Sequence, residues 1–212
     1  PHLFRAQRMI NSEEVPSPET KLALMEMTIN KLIDSGYVYI GMDHFALPDD
    51  ELTIAQREGG LQRNFQGYST RRECDLVGLG VSSIGKVGDC YAQNIKDIRT
   101  WQAAVADGEL PIWRGVSLNT EDRLRRRVIE SIMCHGEINF DTFEDMFASD
   151  FHEHFAPELD SLEQMAEDGL LTMGGDSFSV TAAGRLLVRN VAMVFDEYLK
   201  APESAPRFSR VI

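Results

Sequence analysis

Three kinds of feature are missing from this sequence, and each absence excludes a class of protein. The 212 residues include no continuous apolar run of the length that spans a bilayer, so no membrane partner is expected. The first ten residues have neither the apolar core nor the cleavage site of a secretory signal. Lysine and arginine are few: 21 against 34 acidic residues, and the net charge of −13 argues against nucleic acid bound over the whole surface.

Cysteine is also scarce, and its spacing is informative. Cys74, Cys90 and Cys134 are an odd number of thiols without any CxxC pattern. This usage is typical of a reducing compartment, and it predicts buried thiols and no cysteine-only metal site within the chain. We therefore expect a cytoplasmic protein. The first residue is Pro1, which indicates a piece of a longer chain.

The first half has the pattern of a helix followed by a buried strand. Ser17 and Pro18 predict the start of a helix, and Gly36 predicts its end. The apolar run Tyr37–Met42 then predicts a strand, and a strand flanked by helices favours a parallel sheet covered on both faces. "MDHF" would lie at the carboxyl end of that strand, where βα folds collect their polar chemistry.

Asp43 and His44 are candidate functional residues for this reason. A histidine exchanges protons near neutral pH, and an acid can orient it. Adjacent residues on an extended strand point to opposite faces, however, so we do not expect these two side chains to form one dyad. His2 would follow an earlier strand and could share the same rim.

The segment 61–92 is rich in glycine. "GLGVSSIG" contains G-x-G, but the spacing of the next glycine does not match a dinucleotide-binding fingerprint. Glycines within strands mark bulges or close backbone approach. A bound flat ligand and a tightly packed turn both remain open.

The second half predicts a separate, mainly helical unit. A helix over 94–107 precedes the connector "GELPIWRGVSL", and another helix begins at Asn119 or Thr120. A helix pair over 141–168, a hairpin in "GLLTMGGDSFSVT" and a last helix from Thr181 follow. This order is typical of a winged-helix-like module, with a boundary near residues 108–118.

Several segments together resemble one enzyme family, the oxygen-independent coproporphyrinogen III oxidases. They are long, occur in the family's order and extend over almost the whole chain. The segments are "SGYVYIGMDHFALPDDEL", "RNFQGYST", "DLVGLGVSSIG", "GDCYAQN" and the terminal "FSRVI".

The resemblance implies an α/β fold. Residues 1–110 would be the end of an incomplete βα (TIM-like) barrel, and residues 111–212 a mainly helical, winged-helix-like domain with a small hairpin. The family belongs to the radical S-adenosylmethionine superfamily. It converts coproporphyrinogen III to protoporphyrinogen IX in haem synthesis, using S-adenosylmethionine and a [4Fe-4S] cluster. The CxxxCxxC cluster motif is absent here, so we expect the chain to be inactive alone and to need the other half of its parent enzyme. Its electron donor and acceptor are not indicated.

The resemblance also assigns residues. Gln66 and Ile84 would line the S-adenosylmethionine site, although a turn brace and a core residue are the alternative interpretations. The substrate carries propionates, and guanidinium groups bind carboxylates well. Arg71 and Arg72, with Arg63 nearby, are therefore candidate substrate contacts. Asp43 and His44 are further candidates because of their position at the predicted strand end.

The remaining cations and imidazoles predict no site. Arg123, Arg125, Arg126 and Arg127 occupy one helix and cannot all face the same way, so we interpret them as a solvated face balanced by acids. His135, His152 and His154 are interpreted as surface or core residues and not as metal ligands.

Two alternatives remain at this point. One is a winged-helix interaction or DNA-binding module, which would need cations on its recognition helix and wing. The wing "TMGGDSFS" has none. The other is a related branch of the family that handles haem instead of oxidising coproporphyrinogen.

Overall fold

The computed structural model describes residues 9–11, 14–71 and 74–199. His2, Arg72 and the terminal "FSRVI" lie outside these ranges. Within them the chain forms helices and small sheets, which confirms the α/β class, and the sheets close no barrel.

The helices are α1 Pro18–Asp34, α2 Glu51–Glu58, α3 Ile98–Ala106, α4 Thr120–His135, α5 Phe140–Phe147, α6 Phe151–His154, α7 Ala156–Glu167, α8 Ala182–Leu186 and α9 Val188–Met193. The strands are β1 Val38–Gly41, β2 His44–Ala46, β3 Gln62–Asn64, β4 Gly67–Ser69, β5 Ile84–Val87, β6 Cys90–Asn94, β7 Ile112–Ser117, β8 Glu137–Asn139, β9 Leu171–Met173 and β10 Ser177–Val180.

The first apolar strand pairs antiparallel with its neighbour, so the parallel-sheet prediction was wrong. β1 turns back through Met42 and Asp43 into β2, and Met42 has a φ of 53° in that turn. Every strand pair that the structure describes is antiparallel: β1–β2, β3–β4, β5–β6–β7 and β8–β10–β9. A short apolar run between helices has the same pattern in both arrangements, so periodicity cannot distinguish them.

Helix α1 has the predicted ends. Ser17 Oγ accepts a hydrogen bond from the Thr20 amide at 3.3 Å, and Gly36 follows the helix with a φ of 91°. No residue of α1 is buried, so one helix face stays open and offers a contact surface to another part of a protein. The exposed apolar side chains are Leu22, Leu24, Met27 and Ile33.

The residues predicted as a connector form a strand instead. β7 pairs with β6, which places Val116 opposite Tyr91. The two backbones come close at Gly115, where a Cβ atom would lie 2.7 Å from the Tyr91 carbonyl oxygen. Residues 112–117 therefore belong to the sheet β5–β6–β7 of the first half. They occupy the later part of the predicted boundary region, 108–118. The division into 1–110 and 111–212 stays a prediction.

The second half has the predicted winged-helix order, except that three helices stand where a helix pair was predicted over 141–168. Helix α4 is followed by β8, by the helices α5, α6 and α7, by the hairpin β9–β10, and by α8 and α9. Thr181 caps α8, as predicted, but the last helix breaks at Leu187 into α8 and α9. Strand β8 has three residues, which is too few for a periodic pattern, so it was not predicted from the sequence.

Two cores lie on either side of α4. The larger core contains stacked phenylalanine rings, with Phe140 and Phe151 centroids 4.4 Å apart. The smaller core packs Ile40 and Leu61 against Cys134 of α4. Cys134 is buried as predicted, whereas Cys74 and Cys90 are exposed, which corrects the expectation of three buried thiols.

Arg125 of α4 is an internal residue, so the prediction of a uniformly solvated arginine run was wrong. Its guanidinium lies 2.7 Å from Glu158 Oε1 and 2.6 Å from Glu121 Oε1. Its Nη1 also donates to the Phe195 carbonyl. Burial lowers the pKa of Arg125, but the hydrogen bonds and the negative charges of Glu158 and Glu121 together raise it overall. Arg123, by contrast, forms an exposed pair with Asp89.

Replacing Arg125 with methionine should destabilise the chain strongly. The Glu158 side chain is 3 % exposed, and the substitution leaves its carboxylate buried without this cation. Removing one partner of a buried pair costs about 3–5 kcal/mol of unfolding free energy. The matched control is Arg123→Met on the same helix, which should cost less than about 1 kcal/mol because its ion pair is exposed. Urea unfolding measures both, and equal losses in the two variants would contradict this account.

Candidate functional site

The hairpins β1–β2 and β3–β4 meet around His44 and Tyr68. The two rings contact edge to face with centroids 5.1 Å apart. Two glycines make room for them: a Cβ atom on Gly67 would lie 2.6 Å from His44 Nε2, and one on Gly41 would lie 2.3 Å from the Tyr68 hydroxyl. His44 therefore braces the hairpin that carries Gln66.

Asp43 and His44 lie together, against the sequence-based expectation. His44 Nδ1 is 2.8 Å from Asp43 Oδ1, although this buried nitrogen has no well-oriented hydrogen bond within the described residues. The expectation failed because Asp43 belongs to the turn and not to an extended strand. The Asp43 side chain is 85 % exposed, so the pair forms no enclosed site among the described residues.

Tyr68 is a structural residue. Its hydroxyl donates to the Met133 carbonyl at 2.9 Å and so ties the β3–β4 hairpin to α4. Burial raises the pKa of Tyr68 to about 12. The phenol therefore keeps its proton at neutral pH and remains a hydrogen-bond donor.

Gln66 lies in the turn between β3 and β4 with an exposed side chain. Asn64 Oδ1, and not the Gln66 amide, braces this turn, because it accepts a hydrogen bond from the Gln66 backbone N–H at 2.8 Å. Within the described part of the chain the Gln66 side-chain amide has no hydrogen-bond partner. The interpretation of Gln66 as a turn brace is therefore not supported.

Ile84 lines a pocket of about 360 Å³ on the sheet β5–β6–β7, here called the sheet pocket. It is half-buried and belongs to neither core. Phe65, the neighbour of Gln66, lines the same pocket and contacts Tyr91 edge to face at 5.3 Å. The structure thus brings the turn of Gln66 and the strand of Ile84 to one place, where an apolar and aromatic wall suits a flat ring.

The glycines near Ile84 answer the question that the sequence left open. A Cβ atom on Gly78 would lie 2.9 Å from the Ile84 carbonyl carbon, and one on Gly85 would lie 2.8 Å from the Leu76 carbonyl oxygen. These two glycines allow two backbone segments to cross closely. Asn94 holds the crossing by donating to the Gly78 carbonyl at 3.1 Å. Gly78 and Gly85 are therefore required for packing within the protein and not for contact with a bound ligand.

The candidate arginines are distributed differently from the prediction. Arg71 is exposed and lines none of the pockets described for this chain. Arg63 lies over the Tyr68 ring, 5.5 Å from its centroid. Arg126 lies over Tyr91 at 5.6 Å. Phe65 and Tyr91 were not predicted as site residues, and the aromatic residues of "RNFQGYST" and "GDCYAQN" were their only signal. Arg126 was predicted only as part of the solvated arginine run.

The histidines of the second half make protein contacts. His154 Nε2 lies 3.0 Å from Glu121 Oε2, and His152 Nε2 lies 3.3 Å from the Gly175 carbonyl oxygen. No group of three metal-ligating side chains occurs among the described residues. An iron–sulfur cluster needs several cysteine thiolates close together. Cys134 lies in the smaller core, while Cys74 and Cys90 are exposed, so these cysteines do not fit a cluster.

None of the described helices has both the length and the apolar character required to cross a membrane.

Several known proteins are similar to this chain over its whole length. The model of the HemN C-terminal domain matches residues 118–187. Three relatives are each named oxygen-independent coproporphyrinogen III oxidase: those of Pseudomonas aeruginosa, Escherichia coli and Synechocystis are 50 %, 46 % and 44 % identical over the whole chain. The chain spans 46 % of each of these relatives, about half of their length.

A solved structure agrees with the sequence comparison. It is the coproporphyrinogen III oxidase (HemN) of Escherichia coli, described as a radical SAM enzyme. The match has a TM-score of 0.86 and 47 % identity, and it covers 92 % of this chain and 45 % of that one. The chain therefore matches the carboxyl-terminal part of oxygen-independent coproporphyrinogen III oxidases.

Proposed function

We propose that this chain serves as the carboxyl-terminal portion of an enzyme that converts coproporphyrinogen III to protoporphyrinogen IX by oxidative decarboxylation of two propionates. Its role is to complete the S-adenosylmethionine pocket and to cover the substrate. The observation that carries the proposal is the exposed Gln66 amide, which lies on a turn braced by Asn64 and next to the sheet pocket of Ile84. Relatives named oxygen-independent coproporphyrinogen III oxidase match the whole chain, which supports this proposed function.

Each part of the cofactor site has a defined task. S-adenosylmethionine and a reduced [4Fe-4S] cluster supply the one-electron chemistry of the superfamily when they are bound. The Gln66 amide offers donors and an acceptor for a polar edge of the cofactor. Ile84 and Phe65 provide apolar surface for its adenine and exclude water. The cluster ligands belong to the part of the parent enzyme outside this chain.

The partner of this chain is the other half of the parent enzyme. The open face of α1 and the exposed strand β7 offer apolar contact area and unpaired edge groups for it. Trp113 on β7 and Leu79 in the loop before β5 are 53 % and 86 % exposed. We place the assembled enzyme in the cytoplasm.

The alternative of a DNA-binding winged helix has little support from charge. Neither α7, which follows α6 at the position of a recognition helix, nor the hairpin β9–β10 contains lysine or arginine. Helix α7 instead exposes Asp160, Glu163 and Glu167. Such a surface repels phosphates. We therefore propose that nucleic acid is not a partner.

Replacing Gln66 with alanine in the parent enzyme should weaken S-adenosylmethionine binding. The change removes one or two hydrogen bonds to a polar ligand, which costs about 1–3 kcal/mol, or about tenfold to a hundredfold in affinity. The melting temperature should stay nearly constant, because the described structure gives the Gln66 amide no partner to lose. Equilibrium binding and thermal unfolding are measured on the same variant.

Asn64→Ala is the matched control for the same turn. It removes the acceptor of the Gln66 backbone N–H, so it should lower the melting temperature through loss of a hydrogen bond worth about 1 kcal/mol. If Gln66→Ala loses stability and keeps its cofactor affinity, the side chain is a brace and the assignment is wrong.

The isolated chain should bind no iron–sulfur cluster. Its cysteines are separated between a buried position in α4 and exposed positions in the first half, so they cannot surround one cluster. Anaerobic reconstitution with iron and sulfide, followed by visible absorbance and iron analysis, tests this expectation with the parent enzyme as the positive control. Stoichiometric iron and sulfide in the isolated chain would contradict it.

A further inference from the structure

A second cavity lies next to the sheet pocket and has a different character. It has a volume of about 430 Å³ and is bounded by β3, β5 and β6 on one side and by α4 on the other. We call it the cationic cavity, after four of the side chains that line it: Arg63, Lys86, Arg126 and Arg189. Ile129, Met133 and Leu76 add apolar surface.

The charge of this cavity is unusual for so acidic a chain. Among its described lining residues, Glu130 is the one carboxylate, and it already lies 3.3 Å from Arg127 Nη1. None of the four cations forms an ion pair with a carboxylate within the described ranges. Four cations that share one carboxylate, itself paired with Arg127, repel one another, and a bound anion would relieve this repulsion.

Two of the cations are already held in place. Arg63 and Arg126 lie over the rings of Tyr68 and Tyr91, at 5.5 and 5.6 Å from the ring centroids. Burial raises the pKa of Tyr91, while Arg126 opposes that effect. Arg63 Nε is buried and has no hydrogen-bond partner in the described part of the chain. A buried donor without an acceptor is costly, and a ligand carboxylate would provide one.

The cavity adjoins the proposed cofactor position. Phe65 and Tyr91 line both the cationic cavity and the sheet pocket. Ile84 and Lys86 are two residues apart on β5, so their side chains leave the same face of the strand. An anion held by Lys86 would therefore lie beside the ligand that contacts Ile84.

The geometry points to a carboxylate subsite: we propose that Arg63, Lys86, Arg126 and Arg189 bind propionates of the tetrapyrrole substrate. This inference rests on the proposed function. Guanidinium groups bind carboxylates through paired hydrogen bonds, and the apolar side chains of Ile129 and Met133 suit the edge of a hydrocarbon macrocycle. The subsite replaces exposed Arg71 as the predicted propionate contact.

The largest of the cavities described for residues 9–11, 14–71 and 74–199, about 590 Å³, is a weaker candidate for the same ligand. It lies along α4 at Arg127, Ser131 and His135 and shares no lining residue with the sheet pocket. Two of its guanidinium groups already have partners, because Arg57 donates to the Pro48 carbonyl and Arg127 to Glu130. Its third arginine, Arg185, gives a variant that tests this cavity directly.

The experiment measures binding to the full-length parent enzyme under anaerobic conditions. Coproporphyrin III, the oxidised and fluorescent form of the substrate, is the probe, and its tetramethyl ester is the matched ligand without carboxylates. Arg126→Gln, Arg189→Gln and Lys86→Gln should each weaken coproporphyrin III binding about tenfold or more, since each removes a charge-assisted contact. Binding of the ester should not change between the parent and the variants.

Three controls make the result specific. Arg99→Gln removes an exposed charge on α3 that does not line the cavity, and it should leave coproporphyrin III affinity unchanged. Arg126→Lys keeps the charge and should recover part of the affinity. Thermal unfolding identifies any variant that fails to fold, in which case Arg189→Gln, on the exposed surface of α9, still tests the proposal.

Several outcomes would overturn the inference. Equal weakening by Arg99→Gln would indicate a general charge effect, and selective weakening by Arg185→Gln would indicate the larger cavity. Loss of S-adenosylmethionine affinity with unchanged coproporphyrin III affinity would assign the cations to the cofactor carboxylate. If the unmodified parent binds neither S-adenosylmethionine nor coproporphyrin III, the proposed function itself fails. If the parent binds both and the variants bind them equally well, only the subsite is wrong.

Discussion

Helix α4 is the element on which the rest of this structure depends, because both hydrophobic cores pack against it. Leu124, Val128 and Ile132 recur at helical spacing and are buried in the larger core. Each such side chain contributes about 1.5–3 kcal/mol when it is fully buried. Cys134 and the Met133 carbonyl face the smaller core and the Tyr68 hydroxyl. A shift of α4 would therefore disturb both halves of the chain.

The same helix connects stability to the proposed site. Asn119 and Asp122 form a reciprocal capping box at its start, and Arg125 joins it to α7 through Glu158. These interactions determine where the next residue, Arg126, meets Tyr91. The cationic cavity is thus formed between helix α4 on one side and the short strands β3, β5 and β6 on the other. Charged side chains positioned in this way lose little conformational freedom when a carboxylate binds.

Local signals were sufficient to predict the helix ends but not the strand pairing. Ser17, Gly36 and Asn119 act through hydrogen bonds within a few residues, so their roles could be predicted directly. The partner of β1 and the sheet position of β7 depend on contacts between segments, which short apolar runs do not specify. The side chains of Asp43 and His44 were predicted to point apart because both residues were placed on one extended strand, whereas Asp43 lies in the turn.

The candidate site was predictable only in part for a related reason. The family resemblance suggested Gln66 and Ile84, which the fold brings to neighbouring positions. The cations nearby come from β3, β5, α4 and α9, and Arg63 and Arg189 are far apart in the sequence. Nothing in the local pattern around Arg126 distinguishes it from the exposed Arg123. The assembly of such a cavity follows from tertiary packing, so the structure was needed to find it.

Hydrogen–deuterium exchange of the full-length parent enzyme, measured anaerobically with and without S-adenosylmethionine, tests the central claim most directly. The claim is that this chain forms one wall of the cofactor pocket. Added cofactor should slow exchange in the turn between β3 and β4 and along β5, while the wing β9–β10 stays unchanged as an internal control. Protection confined to the half of the enzyme outside this chain would contradict the account.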